Sequence, residues 1–246
     1  MVLPVFHGIF ASSAVGFVYA EAAYFAGGTS PTVATIEKFA FSDDSRSTLA
    51  TGLSSARNDL AGAANSGVAA YFAGGTYPDV TTVDKFAFDA DSRSTLGTGL
   101  SSTRSGLGGA ANSGTAAYFA GGWTGAARVS TVDKFAFSDD GRSTLGTGLS
   151  ADRSVLAGAA NSGTAAYFAG GYVSGTGNVS TVDKFAFSDD GRSTLGTGLS
   201  ADRSVLAGAA NSGTAAYFAG GYVSGTGNVS TVDKFAFSDD GRSTLG

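Results

Sequence analysis

Short apolar runs along this chain are separated by turns rich in Gly, Asn, Asp and Ser, and they are too short for helices. From Val155 onward, V-L-A-G-A-A is followed by N-S-G, and A-A-Y-F-A-G-G by a polar segment. The stretch T-V-D-K-F-A-F then alternates, so that Asp183, Phe185 and Phe187 share one face. The pattern predicts four short strands, which are Val155–Asn161, Thr164–Gly170, Ser180–Phe187 and Ser193–Leu199.

The same pattern recurs along the whole chain. The motif A-Y-F-A-G-G occurs five times, and its last glycine is Gly28, Gly75, Gly122, Gly171 or Gly221. A second motif, K-F-A-F, begins at Lys38, Lys85, Lys134, Lys184 and Lys234. All variation in length falls between the double glycine and this lysine, so we expect an exposed loop there. The units of a single domain over 1–246 are predicted at 1–47, 48–94, 95–143, 144–193 and 194–243, with 244–246 overlapping a closing strand.

Four strands in a unit of about 50 residues are typical of a β-propeller blade. We therefore expect an all-β, five-bladed β-propeller of four-stranded antiparallel blades. The small residues Ala157–Ala160 are expected on inner strands, where blades crowd together. In register, Met1–Phe6 takes the place of a fourth strand and is predicted to close the ring. The alternatives are an open array cut from a longer repetitive chain and a fibre of chains joined end to end.

Composition narrows the functional classes. The chain has 246 residues, 15 Lys and Arg against 20 Asp and Glu, one His, no Cys and 38 Gly. A net charge of −5 without a basic face argues against nucleic-acid binding. One His and no Cys argue against an enzyme, and no cofactor is expected. The apolar segment from Met1 to Tyr24 has no basic residue and fits a blade, so we predict a strand there and no membrane span.

Three features of each unit are similar to the kelch repeat family. These are a double glycine ending the second strand (Gly170-Gly171), the segment Phe187-Ser188-Asp189 after the third strand, and an arginine before the next first strand. That arginine is Arg57, Arg104, Arg153 or Arg203. The chain departs from the family at Thr194 and Leu195, where a Trp belongs, and at Phe10, where the arginine belongs.

The resemblance implies a propeller that serves as a structural or protein-binding module. The A-Y-F-A-G-G and S-T-V-D-K strands also look like kelch-like repeats in virion and tail-fibre proteins of phages, including cyanophages. This looser resemblance favours a virion or extracellular location and a role in surface attachment. A single arginine per blade is expected to be structural, with its guanidinium bridging carbonyls of neighbouring units, and an anion-binding ring is the alternative.

The variable loops carry the candidate binding residues for a protein or a glycan. They should lie at the same end of the sheets as the arginine-bearing connectors, and their candidates are Tyr77, Trp123, Arg128, Tyr172, Asn178, Tyr222 and Asn228. Exposed aromatic rings stack on sugars or anchor protein partners. Only the last two loops match, which favours a scaffold over a lectin with one site per blade. Because 151–196 and 201–246 are identical, an engineered or consensus propeller without natural activity also stays open, as does self-assembly.

The acidic turns are the candidate metal sites. Asp139, Asp140, Asp189 and Asp190 are weak candidates for Ca²⁺, which prefers several oxygen ligands. The favoured interpretation is a solvated turn in which each Asp bonds to its own backbone.

Overall fold

The computed structural model describes residues 8–9, 21–211 and 213–245. Every regular element in these ranges is a β-strand, and neighbouring strands pair antiparallel. No described segment is a helix of the length and apolarity that crossing a membrane requires.

Five four-stranded sheets follow one another along the chain. Sheet 1 contains β1 (Gly8–Ile9), β2 (Ala22–Ala26), β3 (Ile36–Ala40) and β4 (Arg46–Thr48). Sheet 2 contains β5 (Ala61–Asn65), β6 (Ala69–Ala73), β7 (Val83–Ala87) and β8 (Ser92–Thr95). Sheet 3 contains β9 (Gly108–Asn112), β10 (Ala116–Ala120), β11 (Val132–Ala136) and β12 (Arg142–Thr144).

The last two repeats add small sheets to the same plan. Sheet 4 contains β14 (Ala157–Asn161), β15 (Ala165–Ala169), β18 (Val182–Ala186) and β19 (Arg192–Thr194). Sheet 5 contains β21 (Ala207–Asn211), β22 (Ala215–Ala219), β25 (Val232–Ala236) and β26 (Arg242–Leu245). Two three-stranded sheets join connector to loop: β13 (Arg153–Ser154) with β16 (Tyr172–Val173) and β17 (Gly177–Asn178), and β20 (Arg203–Ser204) with β23 (Tyr222–Val223) and β24 (Gly227–Asn228).

The repeated four-stranded antiparallel plan is therefore confirmed, but the fourth strand is shorter than predicted. In sheet 4 it covers Arg192–Thr194, whereas the sequence indicated Ser193–Leu199. The chain turns inward after Leu195, and Leu199 is only 6% exposed. A Cβ at Gly198 would lie 2.5 Å from the carbonyl oxygen of Ser180, so this approach requires glycine.

The hydrophobic core lies between successive sheets. Between sheets 3 and 4, for example, buried Tyr118 and Val132 form one cluster with buried Phe168 and Phe185. Fully burying one such side chain contributes about 1.5–3 kcal/mol, and each described interface repeats the arrangement. A single sheet cannot cover its own faces, so the stack of sheets rather than the individual sheet forms the stable unit.

The first strands of successive sheets touch backbone to backbone. A Cβ on Gly109 would lie 2.2 Å from the carbonyl oxygen of Gly62, and one on Gly158 would lie equally close, 2.2 Å, to that of Gly109. The connectors just before these strands are also bonded to each other, since Val155 N–H donates to the Gly106 carbonyl at 2.6 Å. The predicted crowding of small residues on the first strand is thus explained by direct contact between sheets.

The two ends of the array differ from its middle. Sheet 5 takes its fourth strand, Arg242–Leu245, from its own repeat. The predicted closing strand, Met1–Phe6, and the departure at Phe10 lie outside the described residues. The closed ring of five blades therefore stays a prediction.

Candidate functional site

The variable loops and the connectors form one edge of the array, which we call the loop edge. Asn58 pairs with Thr76, Ser105 with Trp123, and Arg153 with Val173, each time joining a connector to the loop of the same repeat. The expectation that loops and connectors lie at the same end agrees with these pairings. Backbone hydrogen bonds to the connectors therefore hold these loops in place.

Neighbouring loops also hold each other. The Arg128 guanidinium lies 5.2 Å from the ring centroid of Trp123 and 4.3 Å from that of Tyr172 in the next loop. Its Nε donates to Ser154 Oγ at 3.1 Å, and its Nη1 donates to Ser174 Oγ at 2.8 Å. The sequence predicts Arg128 as a binding residue, and in the structure its Nε and Nη1 donate to the connector and to the next loop, so that it joins neighbouring loops.

Asn178 has a similar role one repeat further along. Its Nδ2 donates to the Tyr222 carbonyl oxygen at 2.9 Å, and only 9% of the residue is exposed. Asn228 has the same sequence context but is exposed. Thus, of the predicted binding residues, Asn178 and Arg128 join loops, while Trp123 is partly covered by Arg128.

Three tyrosines of the loop edge are exposed, although the Arg128 guanidinium lies over the ring of one of them, Tyr172. Tyr77 is 72% exposed, Tyr222 45% and Tyr172 36%. Tyrosine offers a large flat surface and a hydroxyl at low conformational cost, which suits it to recognition. The exposed part of the loop edge therefore carries three separate tyrosines, in the second, fourth and fifth repeats.

The connector arginines lie inside the sheets. Arg57, Arg104, Arg153 and Arg203 have no exposed surface, and each is paired with an aspartate of a third strand, also without exposed surface. Arg153 Nη2 donates to Asp183 Oδ2 at 2.9 Å and to the Phe168 carbonyl at 3.0 Å. All of these partners belong to the same repeat as the arginine.

The predicted guanidinium bridge between repeats is therefore replaced by a different contact. The arginine's own backbone carbonyl reaches the preceding repeat, where it accepts a hydrogen bond from the second glycine of the double glycine. For Arg153 the donor is Gly122 N–H at 2.9 Å. One residue thus fastens its repeat through the side chain and the neighbouring repeat through the backbone.

The aspartate that pairs with each connector arginine accepts hydrogen bonds from three elements. Asp133 accepts from Ser101 N–H, from the Ser101 hydroxyl and from the Thr144 hydroxyl, in addition to Arg104. Burial raises the pKa of the Asp133 carboxyl, but the Arg104 charge and these hydrogen bonds outweigh it, so the pKa lies below its ordinary value. Burial lowers the pKa of the Arg104 guanidinium, and the Asp133 charge opposes that shift. The pair is therefore charged, and of the side-chain atoms of the four such pairs only the Nε of each arginine is buried without a hydrogen-bond partner among the described residues.

Sequence reasoning missed these aspartates, Asp84, Asp133, Asp183 and Asp233. A signal for them exists in the first repeat, where Phe10 replaces the arginine and Glu37 replaces the aspartate. Both members of the pair change together. Glu37 instead accepts hydrogen bonds from the exposed Arg46 and Thr48 side chains.

The acidic turns serve two structural purposes. Asp139 Oδ1 accepts from Gly141 N–H at 2.9 Å, which is the local turn bond that the sequence favoured. Asp140 reaches the preceding sheet instead, where it accepts from the Tyr71 hydroxyl at 2.6 Å and from Lys85 Nζ at 2.8 Å. Asp189 and Asp190 repeat this division. In the described ranges no group of three or more His, Cys, Asp or Glu residues could hold a metal ion.

This contact between sheets, which we call the Tyr–Lys/Phe–Asp joint, recurs four times. A tyrosine and a lysine of one sheet meet an aspartate of the next, and a phenylalanine from that sheet packs on the tyrosine ring. The four sets are Tyr24, Lys38, Phe88 and Asp91; Tyr71, Lys85, Phe137 and Asp140; Tyr118, Lys134, Phe187 and Asp190; and Tyr167, Lys184, Phe237 and Asp240. Burial and the hydrogen bond to Asp91 raise the pKa of Tyr24 to about 12.

Comparison with known proteins does not assign the chain to a protein family, because no family model and no curated protein matches it. The chain is thus defined by its own geometry as an all-β repeat protein with blade-like antiparallel sheets. Its loop edge carries exposed tyrosines, and its buried Arg–Asp pairs fasten strands and connector within their own repeats.

Proposed function

We propose that this chain is a non-enzymatic scaffold whose sheets are the blades of a propeller-like array and whose loop edge binds a protein partner. The exposure of Tyr77, Tyr172 and Tyr222 along one edge carries the proposal. The buried arginines and aspartates, by contrast, form ion pairs with each other and have no exposed surface, so a partner cannot reach them. A role in a virion or in surface attachment follows from the resemblance to phage repeats and extends the same proposal.

The rigidity of the loop edge supports a binding role. Loops that are fastened to connectors and to one another lose little conformational entropy when a partner binds. The loops nevertheless differ among the first three repeats, so the three exposed tyrosines do not belong to five equal sites. This favours one extended partner over several small ligands.

A displayed peptide library, panned on the immobilised chain, tests this surface. Binders selected on the wild type should lose affinity when Tyr77, Tyr172 and Tyr222 are all changed to alanine. Val68→Ala is the matched control, because Val68 is 54% exposed but lies in the turn at the opposite end of its sheet. Selected peptides that bind the triple variant as well as the wild type would exclude the loop edge as the binding surface.

A lectin is the second candidate, favoured by the matching exposed rings of Tyr172 and Tyr222 in identical loops. A glycan array at millimolar Ca²⁺ tests it. Binding that falls in steps when Tyr172→Ala and Tyr222→Ala are introduced singly would support repeated sugar sites. Absence of binding to any glycan would exclude the lectin and leave the protein-binding scaffold as the proposed function.

The closed ring of five blades belongs to the same proposal at a finer level, with the open array as its alternative. Closure requires sheet 5 to pack on sheet 1 as the other sheets pack on each other. Electron microscopy of the purified chain distinguishes the two forms: single discs support closure, and elongated particles support the open array.

A further inference from the structure

The last two repeats have identical loops, 172–180 and 222–230, but a different residue reaches each loop from the repeat before. In the fourth repeat that residue is Arg128, whose guanidinium lies 4.3 Å from the ring centroid of Tyr172. In the fifth repeat it is Asn178, which donates to the Tyr222 carbonyl oxygen at 2.9 Å. Each of the two directly precedes the valine of a V-S-T segment, so their positions are equivalent.

The ring of Tyr222 therefore lacks the guanidinium that its counterpart holds. Asn178 has a shorter, uncharged side chain, and its Nδ2 is bonded to the Tyr222 backbone and to Ser224 Oγ at 3.3 Å. In the ranges that the structure describes, no cation lies over the Tyr222 ring. In agreement, Tyr222 is 45% exposed, whereas Tyr172 under its guanidinium is 36% exposed.

An exposed carboxylate is close to the Tyr222 ring. Asp202 lies two residues before Ser204, the residue of β20 that pairs with Tyr222. Residues in this diagonal relation share a face of a ladder and lie about 7–8 Å apart. Asp202 has no hydrogen-bond or ion-pair partner among the described residues. Its negative charge therefore adds to the attraction of the ring face for a cation.

We propose that Tyr222 and Asp202 bind the guanidinium of an arginine side chain presented by a protein partner, as Tyr172 holds that of Arg128. Arginine is favoured over lysine because its planar guanidinium stacks on aromatic rings, and because the occupant in the fourth repeat is itself a guanidinium. The inference deepens the proposed function, on which it rests for the identity of the partner as a protein.

An NMR titration of the protein with isotope-labelled tyrosine rings tests the site. The probe is N-acetyl-arginine amide, and N-acetyl-glutamine amide is its uncharged control. The arginine probe at millimolar concentration should shift the Tyr222 ring signal about threefold more than the control probe does, because only a cation is attracted to the ring face. The Tyr172 signal should respond less, since Arg128 already lies over that ring. Tyr222→Phe and Tyr172→Phe assign the two signals.

Two substitutions exchange the states of the two tyrosines. Asn178→Arg gives the fifth repeat a guanidinium of its own, so the probe should no longer shift the Tyr222 signal. Arg128→Asn removes the guanidinium from Tyr172, so the probe should now shift both signals. Because the two loops are identical, each repeat is the matched control of the other.

The carboxylate is tested separately. Asp202→Asn should reduce the response of Tyr222 about twofold at low salt and make it less dependent on salt, because salt screens exposed charges. Asp89→Asn is the matched control, since Asp89 is exposed but lies in the turn between β7 and β8, at the other end of its sheet. It should leave the response unchanged, and circular dichroism checks that every variant retains its strands.

A Tyr222 signal that moves no more with the arginine probe than with the glutamine probe would overturn the proposal. An unchanged response in Asn178→Arg would also overturn it, and if that variant does not fold, Arg128→Asn still decides through the Tyr172 signal. Tyrosine-dependent peptides from the panning experiment, together with a negative titration, would contradict only the arginine site. A positive titration without any tyrosine-dependent peptide would retain that site and contradict the protein-binding scaffold.

Discussion

Residues 151–196 and 201–246 have the same sequence but different surroundings. Tyr167 has no exposed surface and donates to Asp240, whereas Tyr217 is partly exposed and has no described acceptor. Ala157 is 4% exposed, whereas Ala207 is exposed. Because the local sequence is identical, the difference comes from the sheet that follows. Each repeat therefore provides only part of its own packing, and its neighbour provides the rest.

The difference between the two copies is confined to one side. Towards the preceding sheet they are alike, since a Cβ on Gly158 or Gly208 would lie 2.2 or 2.3 Å from a carbonyl oxygen of the sheet before. Within each repeat they are also alike, since both Arg–Asp pairs have 0% exposure. Substitutions in the two copies can therefore distinguish contacts within a repeat, contacts with the preceding sheet and contacts with the following sheet.

The largest effect is expected from the Arg–Asp pairs, in both copies. Asp183→Asn and Asp233→Asn should each lower the unfolding free energy by about 3–5 kcal/mol, because each leaves a buried guanidinium without its counter-charge. Urea unfolding followed by circular dichroism measures the loss. A loss at only one of the two positions would show that the pair depends on the following sheet, contrary to its contacts within one repeat.

The glycine contacts come next. Gly158→Ala and Gly208→Ala should each cost about 1–3 kcal/mol, because the new methyl group would overlap the backbone of the preceding sheet. Gly146→Ala is the control, since no atom lies within 4 Å of the position that its methyl group would take. It should leave stability unchanged within about 1 kcal/mol. Equal effects at all three positions in thermal unfolding would argue against the close backbone approach.

Removing the tyrosine hydroxyl should have different effects on stability in the two copies. Tyr167→Phe should lower the unfolding free energy by about 1.5–3 kcal/mol, because it removes a hydrogen bond to a charged acceptor. Tyr217→Phe should change it by less than about 0.5 kcal/mol, which is usual for a site without such a contact. Denaturant midpoints measured at low protein concentration provide the comparison. Similar losses for the two variants would mean that Tyr217 also has a partner in solution.

The smallest effect is expected from pH. Burial and the hydrogen bond to Asp240 raise the pKa of Tyr167 above its ordinary value. A raised folded-state pKa contributes stability below the unfolded value of about 10, and this contribution is lost as the pH rises further. The tyrosinate absorbance that wild type has and Tyr167→Phe lacks should therefore develop above about pH 10. If that absorbance develops at or below this pH, Tyr167 is not buried in solution.

The repeated sequence pattern predicted most of the fold but only part of the candidate site. The N-S-G turns, the double glycines and the alternating V-D-K-F-A-F segments predicted the first three strands of sheet 4 within a few residues, whereas its fourth strand ends earlier than predicted. The Asp183 partner of Arg153 was missed, because it lies on another strand far along the chain and its spacing carries no local signal. The exposure of Tyr77 agrees with its position in a variable loop, whereas the burial of Asn178 depends on the next loop.

By itself the sequence determined the repeat unit, its four strands and the places where loops vary, since these depend on turn chemistry and on alternation over a few residues. The tertiary structure decided which side chains are buried and which charges are paired. Tyr167 and Tyr217 show why: the acceptor of a tyrosine hydroxyl belongs to the following sheet, so identical residues differ when only one of them has that sheet beside it.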